Sequence, residues 1–153
     1  VGKAPCPYPR QYPVAEFSKF VCRLTDGPVS LDWALAQVAH PDVGATVSFL
    51  GTVRQSNRNK QVFGLDYQAY PAMVETEFKA IAGESAAGLR VALEHALNKV
   101  EVGEATISLV VGAAHRAEAF ATGEAMMNQI KNRLPIWKKE IYPDGSSWIG
   151  QGS

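Results

Sequence analysis

The sequence predicts an α+β fold with a mostly antiparallel sheet. After a short first helix, segments with the two-residue period of strands come in pairs, and segments with a helical period separate the pairs. The segments Val102-Gly103-Glu104 and Asp144-Gly145 supply turns between strands that follow each other directly. Strands joined by such short turns pair in antiparallel fashion, and this arrangement is typical of the α+β class.

The individual elements follow from their periods and end signals. Ser30 is a candidate N-cap for a short helix that ends at His40-Pro41. Pro71 begins the next helix, as proline often does at the first helical position. The predicted strands cover 45–54, 62–70, 91–97, 105–111 and 136–142 with a return strand around Trp148, and the two longer helices cover 71–89 and 117–134.

Composition restricts the class of protein. The chain of 153 residues is long enough for one domain, and its net charge of zero disfavours a general binder of nucleic acid or of membrane surfaces. It contains no apolar run of transmembrane length and no signal-peptide pattern. Cys6 and Cys22 fit no metal or redox spacing, and the three histidines lie at no ligand spacing. We therefore expect a cytoplasmic protein with reduced thiols, no metal and no cofactor.

The first 28 residues differ from the rest in composition. Five prolines lie between Pro5 and Pro28, a density that favours an extended arm over a helix. We therefore predict a proline-rich arm over residues 1–28 and one domain over residues 29–153. The sequence leaves open whether the arm packs on the domain.

The segment 131–140 concentrates charge and changes structural type at its middle. It holds four positive charges and one negative charge in a chain of zero net charge. Pro135 ends the helix, and a strand follows it. Lys131 at the helix end and Lys138 just past the rigid turn can point into one cleft. Two ammonium groups in one cleft predict a site for an anion.

Lys131 is a candidate catalytic residue because of its position on the predicted helix. At ~100° per residue it projects within roughly 20–60° of the apolar residues Phe120, Met127 and Leu134. A lysine there either snorkels, with its head in water, or lies in a pocket where it exchanges a proton. Helix geometry alone leaves both alternatives open.

Arg54 is a candidate anion ligand at the end of the first long strand. Its planar guanidinium suits a phosphate group. The polar loop that follows carries Arg58 and Lys60, which we interpret as solvated loop residues.

Several stretches of the chain together match one protein family. They are Gly51-Thr52-Val53-Arg54, residues 67–73, Gly103-Glu104, Ala114-His115-Arg116 with Ala119-Phe120, and residues 131–140 with Asp144-Gly145 and Trp148. In this order and spacing the chain resembles the large, catalytic subunit of molybdopterin synthase over roughly four-fifths of its length. It departs from that family at His95-Ala96-Leu97-Asn98, where a His-Arg-hydrophobic-Gly run is common.

The resemblance implies an α/β hammerhead-like fold with an additional α+β portion, and a sulfurtransferase activity. In that family, cyclic pyranopterin monophosphate receives two sulfurs and becomes the dithiolene of molybdopterin. The sulfur arrives as a thiocarboxylate on the C-terminal glycine of a small, ubiquitin-like partner subunit. Two large subunits form a central homodimer, and a small subunit at each end completes a heterotetramer.

The resemblance also implies the site residues. It makes Lys131 and Lys138 catalytic, and whether Lys131 or His115 carries the proton stays open. Arg54, Arg116 and Lys138 suit the negative charge of the substrate. The nucleophile arrives with the partner, so the chain needs no catalytic cysteine. The implied substrate-binding residues are Thr52, Val53, Arg54, His115, Arg116, Lys139 and Glu140.

Two other classes of protein compete with this interpretation. A non-catalytic adaptor that binds a glycine-ended tail or a phosphorylated pterin would use the same basic cleft. A nucleic-acid protein would use the loop after Arg54 and the lysine-rich strand. Zero net charge and the lack of interleaved aromatic residues disfavour this second class.

Helix geometry predicts that the site is shared between two copies of the chain. Arg116 and Lys131 lie fifteen residues apart on one helix, so their backbones are ~22 Å apart. Neither side chain spans that distance, although the resemblance assigns both to one pocket. A two-fold dimer brings Lys131 of one copy to His115 and Arg116 of the other.

Overall fold

The computed structural model describes residues 17–151. No helix in this range is long and apolar enough to cross a membrane. In chain order the elements are β1 (Lys19–Asp26), α1 (Leu31–Val38), β2 (Ala45–Thr52), β3 (Ser56–Asn57), β4 (Lys60–Gln61), β5 (Gly64–Ala69), α2 (Pro71–Ser85), β6 (Arg90–Glu101), β7 (Ala105–Ala113), α3 (Arg116–Arg133), β8 (Ile136–Ile141) and β9 (Ser147–Gln151).

The predicted α+β class with a mostly antiparallel sheet is confirmed. The main sheet has the order β2-β7-β6-β5-β8-β9, and β1 pairs with β6 beside this path. The β1–β6 pair is parallel, and the other pairs of this sheet are antiparallel. The short strands β3 and β4 form a separate hairpin. The predicted turns at Gly103 and Gly145 both have the positive φ that glycine adopts without strain.

Strand β1 changes the interpretation of the N-terminal region. Residues 1–16, with Cys6 and four of the five prolines of the predicted arm, lie outside the described residues. Lys19–Asp26 pairs along its whole length with β6, and Phe20, Cys22 and Leu24 pack against the core. The sequence left open whether the predicted arm, residues 1–28, packs on the domain, and its segment Lys19–Asp26 is a strand of the sheet.

Helices cover both faces of the central strands. Leu93 of β6 and Leu109 of β7 are fully buried on the face covered by α2 and α3, where Phe78 and Ile130 also lie. Successive strand residues point to opposite faces, so Ala92 packs with α1 on the other side. The double cover explains why most of β6 and β7 is buried without polar–apolar alternation.

Asn98 occupies a special backbone position. Its φ of 61° lies in the left-handed region, which asparagine tolerates better than most residues other than glycine. At this residue β6 exchanges one partner for another, because Leu97 pairs with β1 while Asn98 pairs with Tyr67 of β5. The side-chain amide also donates a 2.8 Å hydrogen bond to Asp26. The chain thus forms this tight conformation with asparagine.

His95 makes the stability of the fold dependent on pH. Its ring is fully buried against Tyr67, with a centroid distance of 4.9 Å. Burial lowers the pKa of His95 to about 4, so the folded protein keeps this histidine neutral. The unfolded chain takes up a proton below about pH 6.5. This favours unfolding, so stability is lost as the pH falls from that value towards about 4.

We predict that His95 lowers the free energy of unfolding by about 2 kcal/mol between about pH 7 and about pH 5. Urea unfolding of the wild type and of His95→Gln at both pH values measures this effect. The variant should be less stable than the wild type at both pH values. Its free energy of unfolding should nevertheless fall less between the two pH values than that of the wild type, and the difference should be about 2 kcal/mol. An equal loss in the two proteins would contradict the assignment.

Candidate active site

One cavity of about 420 Å³ collects most of the predicted site residues. Its walls come from β2, β5, β7 and β8, from the hairpin β3–β4 and from the C-terminal end of α3. Of the nine predicted residues, six line it: Thr52, Val53, Arg54, Lys131, Lys138 and Glu140.

A β-bulge turns the end of β2 towards this cavity. The pairing of β2 with β7 shifts register between Gly51 and Thr52, and such an irregularity bends a strand locally. Two backbone hydrogen bonds of 2.9 Å then tie Val53 to Gly103 and Glu104. Val53 is buried, while the next residue, Arg54, is exposed at the cavity.

Helix α3 brings Lys131 to the cavity from another direction. Met127 and Leu134, its predicted neighbours, are buried, but Lys131 itself is exposed. The prediction that Phe120 belongs to the same buried face is wrong, because Phe120 is 65% exposed. Lys131 therefore lies at the margin of the apolar face, with its ammonium group at an open cavity.

Alternation along β8 places Lys138 and Glu140 on one face of the strand and Lys139 on the other. Alternation along the strand points Lys138 and Glu140 into the cavity. Lys139 pairs with Asp66 and Ile149, and the three line a different, smaller depression, which Lys138 also borders. The structure therefore does not bring Lys139 into the cavity.

The carboxylate of Glu140 accepts hydrogen bonds from neighbouring side chains. It is only 3% exposed, and its Oε1 accepts a 2.7 Å hydrogen bond from Nδ2 of Asn57. Its Oε2 accepts a 2.8 Å bond from the hydroxyl of Tyr142. Lys138 Nζ lies 3.8 Å from Oε1. Both carboxylate oxygens are thus occupied by neighbouring side chains.

The remaining charges make the cavity positive. Arg54, Lys131 and Lys138 face it, and the carboxylate of Glu140 is the negative group among its lining residues. Within residues 17–151, the side chains of Arg54 and Lys131 form no hydrogen bond or ion pair. Unpaired cations beside a partly apolar wall suit a phosphorylated organic molecule.

His115 and Arg116 do not reach the cavity of their own chain. His115 is the N-cap residue of α3 and Arg116 is its first residue, whereas Lys131 lies in the last turn. One helix of 18 residues without proline contains both Arg116 and Lys131. At 1.5 Å per residue, fifteen residues correspond to a backbone separation of ~22 Å.

Eight further residues line the cavity that were not among the predicted site residues, and Tyr67 and Asn57 are two of them. Tyr67 pairs with Lys138 across β5 and β8, and burial raises its pKa, so its phenol stays protonated. Tyr67 and Leu65 lie two residues apart, and this strand period predicts that both side chains point to the same face of the sheet. Asn57 lies in the segment interpreted as a loop, and its position depends on how β3–β4 folds back.

Comparison with known proteins decides the family. The sequence model of the MoaE protein family matches residues 24–133. The chain belongs to the MoaE family. The resemblance to the catalytic subunit of molybdopterin synthase is thereby confirmed.

Individual MoaE relatives agree with this assignment. Molybdopterin synthase catalytic subunit 1 of Mycobacterium tuberculosis is 41% identical over 140 residues, which cover 90% of this chain and 95% of that protein. A crystal structure of molybdopterin synthase from Staphylococcus aureus matches with a TM-score of 0.75 at 26% identity, covering 83% of this chain and 94% of that one. A Helicobacter pylori structure, described as a complex of subunits 1 and 2 of molybdopterin-converting factor, matches with a TM-score of 0.70 at 22% identity, covering 80% of this chain and 86% of that one.

We predict that Gly51→Ala destabilises the cavity wall. A Cβ at Gly51 would lie 2.6 Å from Cγ2 of Ile107 and 3.3 Å from the ring of Phe49, which also line the cavity. Overpacking of this kind costs about 1–3 kcal/mol. Gly83→Ala is the matched control, because that glycine lies in α2 with open space around it. Chemical denaturation should show a loss for the first variant and a gain of up to about 1 kcal/mol for the second.

Proposed function

We propose that the chain is the catalytic subunit of a molybdopterin synthase and acts in the cytoplasm. It transfers sulfur to cyclic pyranopterin monophosphate and forms the dithiolene of molybdopterin. One observation carries the proposal: Arg54, Lys131 and Lys138 converge on one cavity in a chain of the MoaE family.

The cavity suits the charge changes of this reaction. The substrate carries a phosphate, and opening its cyclic phosphoester develops negative charge that Arg54 and Lys138 can hold. Lys131 is assigned as the group that exchanges a proton with the pterin side chain. Thr52 and Val53 form the adjoining wall.

The nucleophilic sulfur comes from outside the chain. Cys22 is unsuited to this role because burial raises its pKa to about 12, so its thiol stays protonated near neutral pH. We assign the sulfur to the C-terminal thiocarboxylate of a small, ubiquitin-like subunit that ends in glycine. The complex of two subunits in the Helicobacter pylori structure supports a second subunit as partner. A residue without a side chain lets the tail carbonyl approach the substrate closely.

Two copies of the chain complete the site. His115 and Arg116 are exposed at one end of α3, and Lys131 is exposed at the other end. A homodimer that faces these ends towards each other supplies the two missing groups to each cavity. Two small subunits then make the heterotetramer.

The decisive experiment is incubation of the chain with cyclic pyranopterin monophosphate and a thiocarboxylated small subunit, followed by detection of the dithiolene. Product formation above the level of the small subunit alone supports the enzyme. Binding of both components without product in a single turnover supports the non-catalytic adaptor.

We predict that Lys131→Ala reduces sulfur transfer by at least about 100-fold, because a positioned acid or base contributes that much. The fold should persist, since Lys131 is exposed. Lys131→Arg should also be poor, because arginine stays charged. Lys99→Ala, an exposed lysine of β6, is the control and should retain activity. Near-normal turnover by Lys131→Ala would remove Lys131 from the mechanism.

The shared site predicts complementation between two inactive variants. When Arg116→Ala and Lys131→Ala are refolded together, random pairing makes about half of the dimers mixed. Each mixed dimer has one cavity with both changes and one with neither, so activity should return to roughly a quarter of wild type. A mixture that stays inactive, although mixed dimers form, would place all the catalytic groups within one chain.

A further inference from the structure

The hairpin β3–β4, residues 56–61, forms one wall of the cavity but has little structure of its own. Only two residue pairs join its strands, Ser56 with Gln61 and Asn57 with Lys60. Its two-residue turn places Arg58 and Asn59 in the left-handed region, with φ of 48° and 62°. An isolated hairpin of this size is not stable in water, so outside contacts determine where it lies.

Three side-chain contacts join the hairpin to the strands β8 and β9 and their turn. Asn57 donates to the buried carboxylate of Glu140. Arg58 lies over the ring of Trp148 at 5.0 Å, and Lys60 lies over the ring of Tyr142 at 5.1 Å. The two ring contacts are at exposed or half-exposed residues. The hydrogen bond from Asn57 is the contact that reaches a buried, charged partner, and such bonds are the stronger kind.

Asn57 and Lys138 both approach the same oxygen, Asn57 at hydrogen-bond distance and Lys138 as a looser ion pair. Oε1 of Glu140 accepts from Asn57 at 2.7 Å, while Lys138 Nζ lies 3.8 Å away from it. The hydroxyl of Tyr142 occupies Oε2, and this hydrogen bond raises the pKa of Tyr142, so the phenol remains a donor. The two uncharged donors thus satisfy the carboxylate and leave Lys138 directed at the cavity.

We propose that Asn57 is a positioning residue that latches the hairpin to Glu140 and keeps Lys138 available to the substrate. Glu140 acts in this latch through both of its oxygens, and Tyr142 holds it from the other side. Without Asn57, Oε1 draws Lys138 from the 3.8 Å ion pair into a hydrogen-bonded one, and the hairpin loses its buried anchor. The consequence for catalysis rests on the proposed substrate site, whereas the latch itself does not.

Limited proteolysis tests the latch without any substrate. The hairpin carries Arg58 in its turn and Lys60 in β4, so trypsin cleaves there when the hairpin opens. Asn57→Ala should accelerate cleavage after these residues about tenfold, as expected for loss of a hydrogen bond to a charged group. Ser56→Ala, an exposed neighbour in the same hairpin, is the matched control and should change the rate less than about twofold. Equal rates for the two variants would overturn the latch.

A pair of substitutions that exchanges the donor and the acceptor of this hydrogen bond distinguishes loss of the contact from general destabilisation of the protein. Asn57→Asp sets two carboxylates against each other and should open the hairpin, because like charges repel at this distance. Adding Glu140→Gln lets the amide at position 140 donate to the new carboxylate, so resistance to trypsin should return. Failure of the double variant to regain resistance would overturn the direct Asn57–Glu140 contact.

Steady-state kinetics with the thiocarboxylated small subunit test the effect on the reaction. Asn57→Ala should lower kcat/KM for the cyclic phosphate about tenfold, through both a higher KM and a lower kcat, because Lys138 is withdrawn from the bound phosphate and from the charge that develops as its ring opens. Faster proteolysis with unchanged kcat and KM would overturn the role of the latch at the substrate site. The role of Lys131 in proton exchange is tested separately, by the activity of Lys131→Ala and Lys131→Arg.

Discussion

Strand β6 is the constraint on which the rest of the structure depends. Its first eight residues pair with β1, six of them also with β7, and its last four pair with β5. It thereby joins the helix-covered half of the sheet to the half formed by β5, β8 and β9. The cavity lies where these halves meet, with Ile107 on one side and Tyr67 on the other. The left-handed backbone at Asn98 marks the residue at which β6 passes from one half to the other.

The local elements could be read from the sequence because their signals are local. Pro71 begins α2, Pro135 follows α3, and the turns at Gly103 and Gly145 lie between paired strands. The spacing of Met127 and Leu134 correctly placed one side of α3 in the core. Phe120 was misplaced because periodicity identifies an apolar residue without showing whether another element covers it.

Longer-range features could not be read in this way. Strand β1 pairs in parallel with a segment far away in sequence, and the nearby prolines masked its strand character. The family resemblance named six residues that the fold does bring together. It could not show that Glu140 is bound by Asn57 and Tyr142, because that depends on the position of a six-residue hairpin. Lys139 was included with its neighbours in sequence, although strand alternation sends it to the other face.

The pairing of β5 with β8 also bears on when the cavity forms during folding. The hairpins β6–β7 and β8–β9 join neighbours in sequence, whereas Gly64 pairs with Ile141 and Lys19 with Arg90. A contact between distant segments closes a long loop of chain. Its formation therefore loses more conformational entropy than a contact between neighbouring segments does. Tyr67 and Lys138, which both line the cavity, pair across such a contact. The binding surface therefore depends on contacts between distant segments, and a partly folded chain that lacks the β5–β8 pairing presents its lysines without the cavity that organises them.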